Sequence, residues 1–336
     1  MVEGTAGASA EGATPLGRYR LMCVMRAFEE ACAAGVDAGE LRGELHLGVG
    51  QEGVAAAMAA TLRPEDWVVS THRSHPHAIA KGVPLLPLMA EVYEKATGLC
   101  RGKGGHLHLF DLERRFSTTG IVGSSLPVAL GHAYAARLAG TGEIAVGVTG
   151  DGGVNTGQFH ETLNMAAAWA LPLVVLVENN AYAISVPVRD VTAGAGIAER
   201  TAAYGVWSRR VDGTDVEATA AAFAEAAGHA RSGAGPALLE ATCHRFRGHY
   251  EGDPDHYRGE EEKSAMRRTG DPIAVARARL VQRGGADADA LATIERDART
   301  EVDAVLRAAR AAPDPDPADA FRDVFADGGA SAGAAR

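Results

Sequence analysis

Residues 146–180 read VGVTGDGGVNTGQFHETLNMAAAWALPLVVLVENN. An apolar run breaks on Gly150-Asp151-Gly152-Gly153, a helical stretch follows, and a second apolar run stops at two adjacent amides, Asn179 and Asn180. Strands over 144–149 and 173–178, joined by one helix, make a right-handed βαβ unit, so the two strands are parallel. Further short strands are expected over 208–211 and 237–243, with a helix between them. The fold class that follows is α/β, a mostly parallel sheet flanked by helices.

A glycine turn between a strand and a helix first suggests dinucleotide binding, where backbone amides and a helix N-terminus cradle a diphosphate. That fingerprint fails here. The third glycine falls on Asn155, and the turn carries an anion, Asp151, that repels a bare diphosphate. A divalent cation between carboxylate and diphosphate removes the conflict. Magnesium is the best fit, since it takes oxygen ligands at about 2.1 Å and commonly only one or two protein side chains beside phosphate oxygens. Parallel strands end on the same edge, so Asn180, 29 residues after Asp151, comes down beside it with an amide oxygen as second ligand. The plainer alternative makes Asp151 a helix N-cap and Asn180 a turn residue.

Outward from this unit, the 336 residues, 46% hydrophobic and 23% charged, suffice for a sizeable core. A net charge of -10 without a Lys/Arg block offers no basic patch to nucleic acid or a membrane surface. Cys23, Cys32, Cys100 and Cys243 show no C-x-x-C spacing and read as reduced core thiols, which suits the cytoplasm. The start, MVEGTAGASAEGATP, has neither a basic beginning nor an apolar run, and neither secretion nor membrane spanning is expected. Residues 1–14 read as a disordered tail, 15–325 as one domain and 326–336 as a flexible tail, with Phe321, Val324 and Phe325 docking one last helical turn. Helices are expected over 19–34, 51–62 and 85–97, and DWVVSTHRSHPH (66–77) reads as a strand running into a polar loop. GLCRGKGGHLHLFD (98–111), with four glycines, is a candidate binding loop.

Gly-Asp-Gly, 26 residues, then Asn-Asn resembles the cofactor-binding signature of thiamine-diphosphate enzymes. HLGVGQEGVAAAM (46–58), THRSHPHAIAKG (71–82), CRGKGGHLH (100–108), TTGIVGSSLPVALG (118–131) and RFRGHYEGDPDHYR (245–258) extend the likeness over roughly 18–325. Together they resemble the alpha subunit of the first component of 2-oxo-acid and acetoin dehydrogenase complexes. The resemblance implies thiamine diphosphate and Mg2+ as cofactors, with Asp151 and Asn180 binding the metal through side chains and Tyr182 through its backbone carbonyl. It implies that Gly150, Gly152 and Gly153 approach the diphosphate, and that Gly120 and Val122 line the aminopyrimidine unless they form only a helix-entry turn. Arg73 falls at a diphosphate-binding position, a solvated surface role being the alternative. His72 and His75 are implied near the thiazolium and substrate, His249 is implied as an active-site histidine beside the cofactor, and His108 reads as structural. A beta subunit is implied as the source of the carboxylate for the cofactor's pyrimidine in an α2β2 assembly, and a lipoyl-bearing acyltransferase as the acceptor of the acyl or hydroxyalkyl unit. THR at 71–73 and RGHYEGDP at 247–254 are acetoin-like, while NNAYAISVPV at 179–188 also resembles branched-chain relatives. Pyruvate, acetoin and branched 2-oxo acids therefore all stay open as donors. Mitochondrial relatives carry a regulatory serine after R-G-H; here Tyr250 follows and 247–260 holds no serine, which argues against phosphorylation control there.

Other classes compete with this reading. His72, His75 and His77, with His106 and His108, could form a zinc site, although Pro76 and the loop context fit no regular ligand geometry. A metal-dependent phosphohydrolase using Asp151 leaves the Asn179-Asn180 pair without a role. A non-catalytic binding or regulatory subunit is the third class.

Overall fold

The structure, a computed structural model, describes residues 11–323. In chain order the helices are α1 (Pro15–Asp37), α2 (Glu52–Ala59), α3 (His75–Lys81), α4 (Leu85–Val92), α5 (Ser125–Ala139), α6 (Gly157–Ala168), α7 (Val188–Val191), α8 (Val216–Arg231), α9 (Glu260–Thr269), α10 (Pro272–Gln282) and α11 (Ala288–Arg310). The strands are β1 (Trp67–Ser70), β2 (Phe110–Asp111), β3 (Phe116–Thr118), β4 (Ala145–Gly150), β5 (Leu173–Asn179), β6 (Tyr182–Ala183), β7 (Val186–Pro187), β8 (Trp207–Asp212) and β9 (Ala237–Thr242).

Seven strands form one sheet in the order β2-β3-β1-β4-β5-β9-β8, parallel throughout except for the short edge strand β2. β4, β5 and β9 are buried at nearly every position because both faces of the sheet are covered. Alternate residues serve different layers: Val174 and Leu176 pack into the core with Phe28, Met58 and Phe223, while Val175 and Val177 pack with Leu126, Phe159 and Leu163. Leu176→Ala is expected to cost about 2–5 kcal/mol, read by denaturant unfolding, because this buried position is hemmed in by neighbouring strands.

α1 buries Leu21, Val24, Met25, Phe28 and Cys32, the stripe expected from their spacing. Thr14 starts it by accepting the Gly17 N–H at 3.0 Å, with Pro15 in the first turn where its missing donor matters least. The chain is already engaged before this helix. Arg18 donates to the Gly12 carbonyl at 2.6 Å and Arg20 pairs with Glu11, so the N-terminal tail expected over 1–14 is ordered from Glu11; residues 1–10 lie outside the described residues.

Three expectations need correction. The polar loop expected after β1 turns at once into α3, with Pro76 in its first turn and His75 and His77 buried. α4 stops at Val92, short of 97, because Glu94 turns left-handed (φ 54°) to enter the glycine loop. Phe321 is 74% exposed and belongs to neither core layer among the described residues, and Val324 and Phe325 lie outside those residues.

The register Gly150↔Glu178 and Asn179↔Thr242 brings the carboxyl ends of β4, β5 and β9 to one edge, with those of β1 and β3 beside them. The chain steps outward from β1 to β3, then returns past β1 to β4. Such a reversal opens a crevice at the carboxyl edge of the sheet.

Candidate active site

A cavity of about 250 Å³ occupies that crevice. Its walls are Thr71, His72 and Arg73 after β1, Thr119 and Ile121 to Gly123 after β3, Gly150 to Gly153 after β4, Asn180 after β5, and Arg245 and His249 after β9. Tyr182, Ala183 and Ile184 close one side, and Gln51 reaches in from the start of α2.

The turn after β4 is tight. A Cβ on Gly153 would lie 2.2 Å from Thr149 Oγ1 and one on Gly152 2.8 Å from Ala183 Cβ, so the backbone itself forms the cavity wall. Asp151 is buried. Its Oδ1 accepts the Gly152 N–H at 3.0 Å, while Oδ2 is buried with no hydrogen-bond partner among the described residues. Burial pushes its carboxyl up to about 6, against the opposing pull of the Gly152 N–H and the Arg245 charge.

The two amides at the end of β5 do different work. Asn179 donates to Glu240 at 2.7 Å and accepts the Ala181 N–H at 3.1 Å. Asn180 donates to Gln51 Oε1 at 3.1 Å and accepts the Tyr182 N–H at 3.2 Å. Each side-chain oxygen thus binds the backbone two residues on, holding Ala181 in a left-handed conformation (φ 69°) that alanine otherwise avoids. With its NH2 committed to Gln51, the Asn180 amide holds its Oδ1 on the opposite side, where a second lone pair stays open.

Arg73 is buried, which rules out the solvated surface role. It donates to Leu47 O at 2.8 Å and to His249 O at 2.6 Å, and its Nη2 lies 3.0 Å from His249 Nδ1. Burial lowers its own pKa to about 9. Arg245 is likewise buried and donates to Ile184 O at 3.0 Å and to the Tyr257 hydroxyl at 2.7 Å. Tyr257 in turn donates to Asp253, which also accepts the His249 N–H, so the loop after β9 is tied together from within.

His72 and His249 on this wall cluster with His46, which is not itself part of the lining, their ring nitrogens lying within 4.8 Å of one another, and His106 Nε2 stands 3.4 Å from His46 Nδ1. Burial first, and then the Arg73 charge, lowers His46 to about 3, His72 to about 2 and His249 to about 4. Burial and the neighbouring His75 lower His106 to about 4. The rings are neutral at pH 7. Two guanidinium groups, neutral imidazoles and a bare-backbone turn make a receptor for an anion, with one unpaired carboxylate oxygen placed for a cation.

A family model described as dehydrogenase E1 component matches residues 19–318. The chain belongs to this family. The pyruvate dehydrogenase E1 component subunit alpha of Rhizobium meliloti (strain 1021) is 38% identical over 308 residues, spanning 91% of this chain and 88% of that protein. The acetoin:2,6-dichlorophenolindophenol oxidoreductase subunits alpha of Cupriavidus necator and Bacillus subtilis are each also 38% identical over 308 residues, spanning 91% of this chain and 92% of theirs. Within the family this chain is an E1 alpha subunit of the 2-oxo-acid and acetoin dehydrogenase type.

In this E1 chain Asp151, Asn180, Tyr182, Gly150, Gly152, Gly153, Val122, Arg73, His72 and His249 all line the one cavity. Gly120 does not. It sits just behind the wall, where a Cβ would come 3.2 Å from His108 Cε1. His75 lies deeper still, fully buried, with Nδ1 2.9 Å from Glu29 Oε1, so it stands outside the cavity wall. His77 turns to Ser70 Oγ at 2.9 Å and to Glu178, so His72, His75 and His77 do not converge as the zinc alternative needs. Sequence reasoning missed Gln51, Arg245, Glu178 and His46. Gln51 and His46 stand within HLGVGQEGVAAAM and Arg245 opens RFRGHYEGDPDHYR, but charged and polar residues in such segments look the same whether they face solvent or a cavity. Among the described residues no helix is long and apolar enough to cross a membrane.

Proposed function

We propose that the cavity binds thiamine diphosphate with Mg2+, and that the chain works with a beta subunit to cleave a C–C bond of pyruvate or acetoin and pass the acyl or hydroxyalkyl unit to a lipoyl group. The observation that carries this is Asp151 Oδ2, a buried carboxylate oxygen without a partner beside a glycine turn. A hard cation satisfies that oxygen and removes the burial penalty on the charge. Asp151 and Asn180 would hold the metal through side-chain oxygens and Tyr182 through its carbonyl. Gly152 and Gly153 would present backbone to the diphosphate, with Arg73 offsetting its charge and Val122 near the aminopyrimidine.

Thiamine diphosphate, when bound, supplies a carbanion nucleophile and an electron sink for breaking a bond next to a carbonyl. This chain's residues bind and orient. Of the two carboxylates lining the cavity, Asp151 serves the cation and Glu178 faces His77, which leaves the pyrimidine's carboxylate to the partner. The mouth itself asks for a cover: Ile121, Val122 and Ile184 are 70%, 55% and 58% exposed there, and Val128, Tyr134 and Leu138 are exposed on α5. Extracting the cofactor from the purified complex and identifying it by mass tests the reading. Turnover with pyruvate, acetoin and branched 2-oxo acids, with a lipoyl domain as acceptor, identifies the donor. A complex that carries no thiamine diphosphate refutes the proposal.

His249 is proposed to exchange a proton with the reacting group or during the handover to the lipoyl arm. Burial first, and then the Arg73 charge, holds its imidazole down; an anion beside Arg73 would offset the second of these and move the imidazole upward, toward the range where proton transfer is effective. His249→Ala is expected to lower lipoyl-dependent turnover about 10²- to 10⁴-fold at saturating thiamine diphosphate. The contrary outcome, weak cofactor binding with turnover restored at saturation, would mean that the imidazole only props Arg73.

A further inference from the structure

Glu91 stands in the last turn of α4, fully buried and away from the cavity. Its Oε2 accepts the N–H groups of Cys100 at 2.7 Å and Gly102 at 3.0 Å, and its Oε1 those of Gly104 at 2.7 Å and Gly105 at 3.2 Å. Successive backbone donors converging on one anion form a nest, and here the anion is the chain's own. The glycines follow from that wrapping. A Cβ on Gly98 would lie 2.3 Å from Glu91 Oε2, and Gly102 and Gly105 need φ of 76° and 55°. The loop whose glycines made it a candidate binding segment is folded around an internal carboxylate.

The far end of that loop reaches the cavity wall. Gly104 O accepts the His108 N–H at 3.2 Å, Thr118 Oγ1 donates to Leu107 O at 2.6 Å and accepts the Leu109 N–H at 2.8 Å, and the His108 ring lies against Gly120. Thr119, Ile121, Val122 and Gly123, the next residues along, line the cavity. We infer that Glu91 is a positioning residue for the 119–123 turn, acting through the glycine loop and Thr118 to hold the wall that receives the organic part of the cofactor. The inference rests on the thiamine reading above.

The diphosphate end of the cavity is built on other elements, the turns after β1, β4 and β5, and this separates a local effect from a general one. Glu91→Gln keeps the size of the side chain but replaces one oxygen with an NH2 group facing N–H donors. Thr118→Val breaks the same path at its other end and leaves Glu91 in place. In the complex with the beta subunit and saturating Mg2+, both variants are expected to weaken thiamine diphosphate about tenfold or more while binding inorganic diphosphate within about twofold of wild type. Parallel weakening of both probes, or no weakening of either, overturns the inference, and Thr118→Val decides alone if Glu91→Gln does not fold. Wild-type complex that binds no thiamine diphosphate overturns the thiamine reading and this inference together.

Discussion

Asp151→Asn is expected to abolish magnesium-dependent binding of thiamine diphosphate, and turnover with it, while making the cation-free chain more stable at neutral pH. The opposite signs come from one cause. In the folded chain the carboxyl titrates at about 6 instead of the ordinary 3.8, so between those values the folded state binds more protons than the unfolded one. Stability from this group therefore falls as pH rises through that window, by up to about 3 kcal/mol above it. Asparagine stays neutral and avoids that loss, but it removes the anionic ligand that a divalent cation needs. Thermal melts without Mg2+ at pH 5 and pH 8 should show the variant ahead of wild type at both, by about twice as much at the higher pH, because pH 5 already lies inside the titration window. Magnesium titrations with thiamine diphosphate should show binding for wild type alone. A variant that binds the cofactor like wild type, or melts lower than wild type at pH 8, contradicts the assignment.

The chain purified without a beta subunit is expected to show no decarboxylation of pyruvate and no cleavage of acetoin, with turnover appearing only on reconstitution. The cavity is lined by two carboxylates, and in the proposed reading both have other work: Asp151 would hold the cation, and Glu178 faces His77. The carboxylate that would act on the pyrimidine is then left to the partner, and without it cofactor binding alone would give no turnover. A titration of beta subunit against a fixed amount of this chain should raise activity to a plateau at equal numbers of the two. Substantial turnover by a preparation shown by mass to hold this chain alone would sink the idea.

The βαβ unit was legible because its periodicity and punctuation agree: two apolar runs too short for helices, a glycine turn and a pair of asparagines at the right separation. β4 and β5 lie within a residue of where the sequence places them. Short elements were harder. β2, β3, β6 and β7 are two or three residues long, too few to show a period, and exist because neighbouring chain supplies their partners. At the site, Asp151 and Asn180 could be read because a parallel sheet brings both strand ends to one edge. Gln51, His46 and Arg245 could not, since their place depends on how α2 and the loop after β9 fold over that edge. His75 illustrates the reverse error. Two residues from Arg73, it looks like a neighbour in function, but the helix beginning at His75 turns it inward to Glu29.

The exposed apolar mouth, Ile121, Val122 and Ile184 with Val128 and Leu138 beyond, has a bearing on how the cell must make this protein. A copy synthesised ahead of its partner carries that surface uncovered, and two such copies can bury it against each other in the wrong pairing. Matched production of the two chains, in time and in amount, then becomes a condition for soluble enzyme. Expressed alone, the chain should be recovered in a larger share as aggregates than when its partner is translated beside it, and replacing Leu138 with a lysine should narrow that difference.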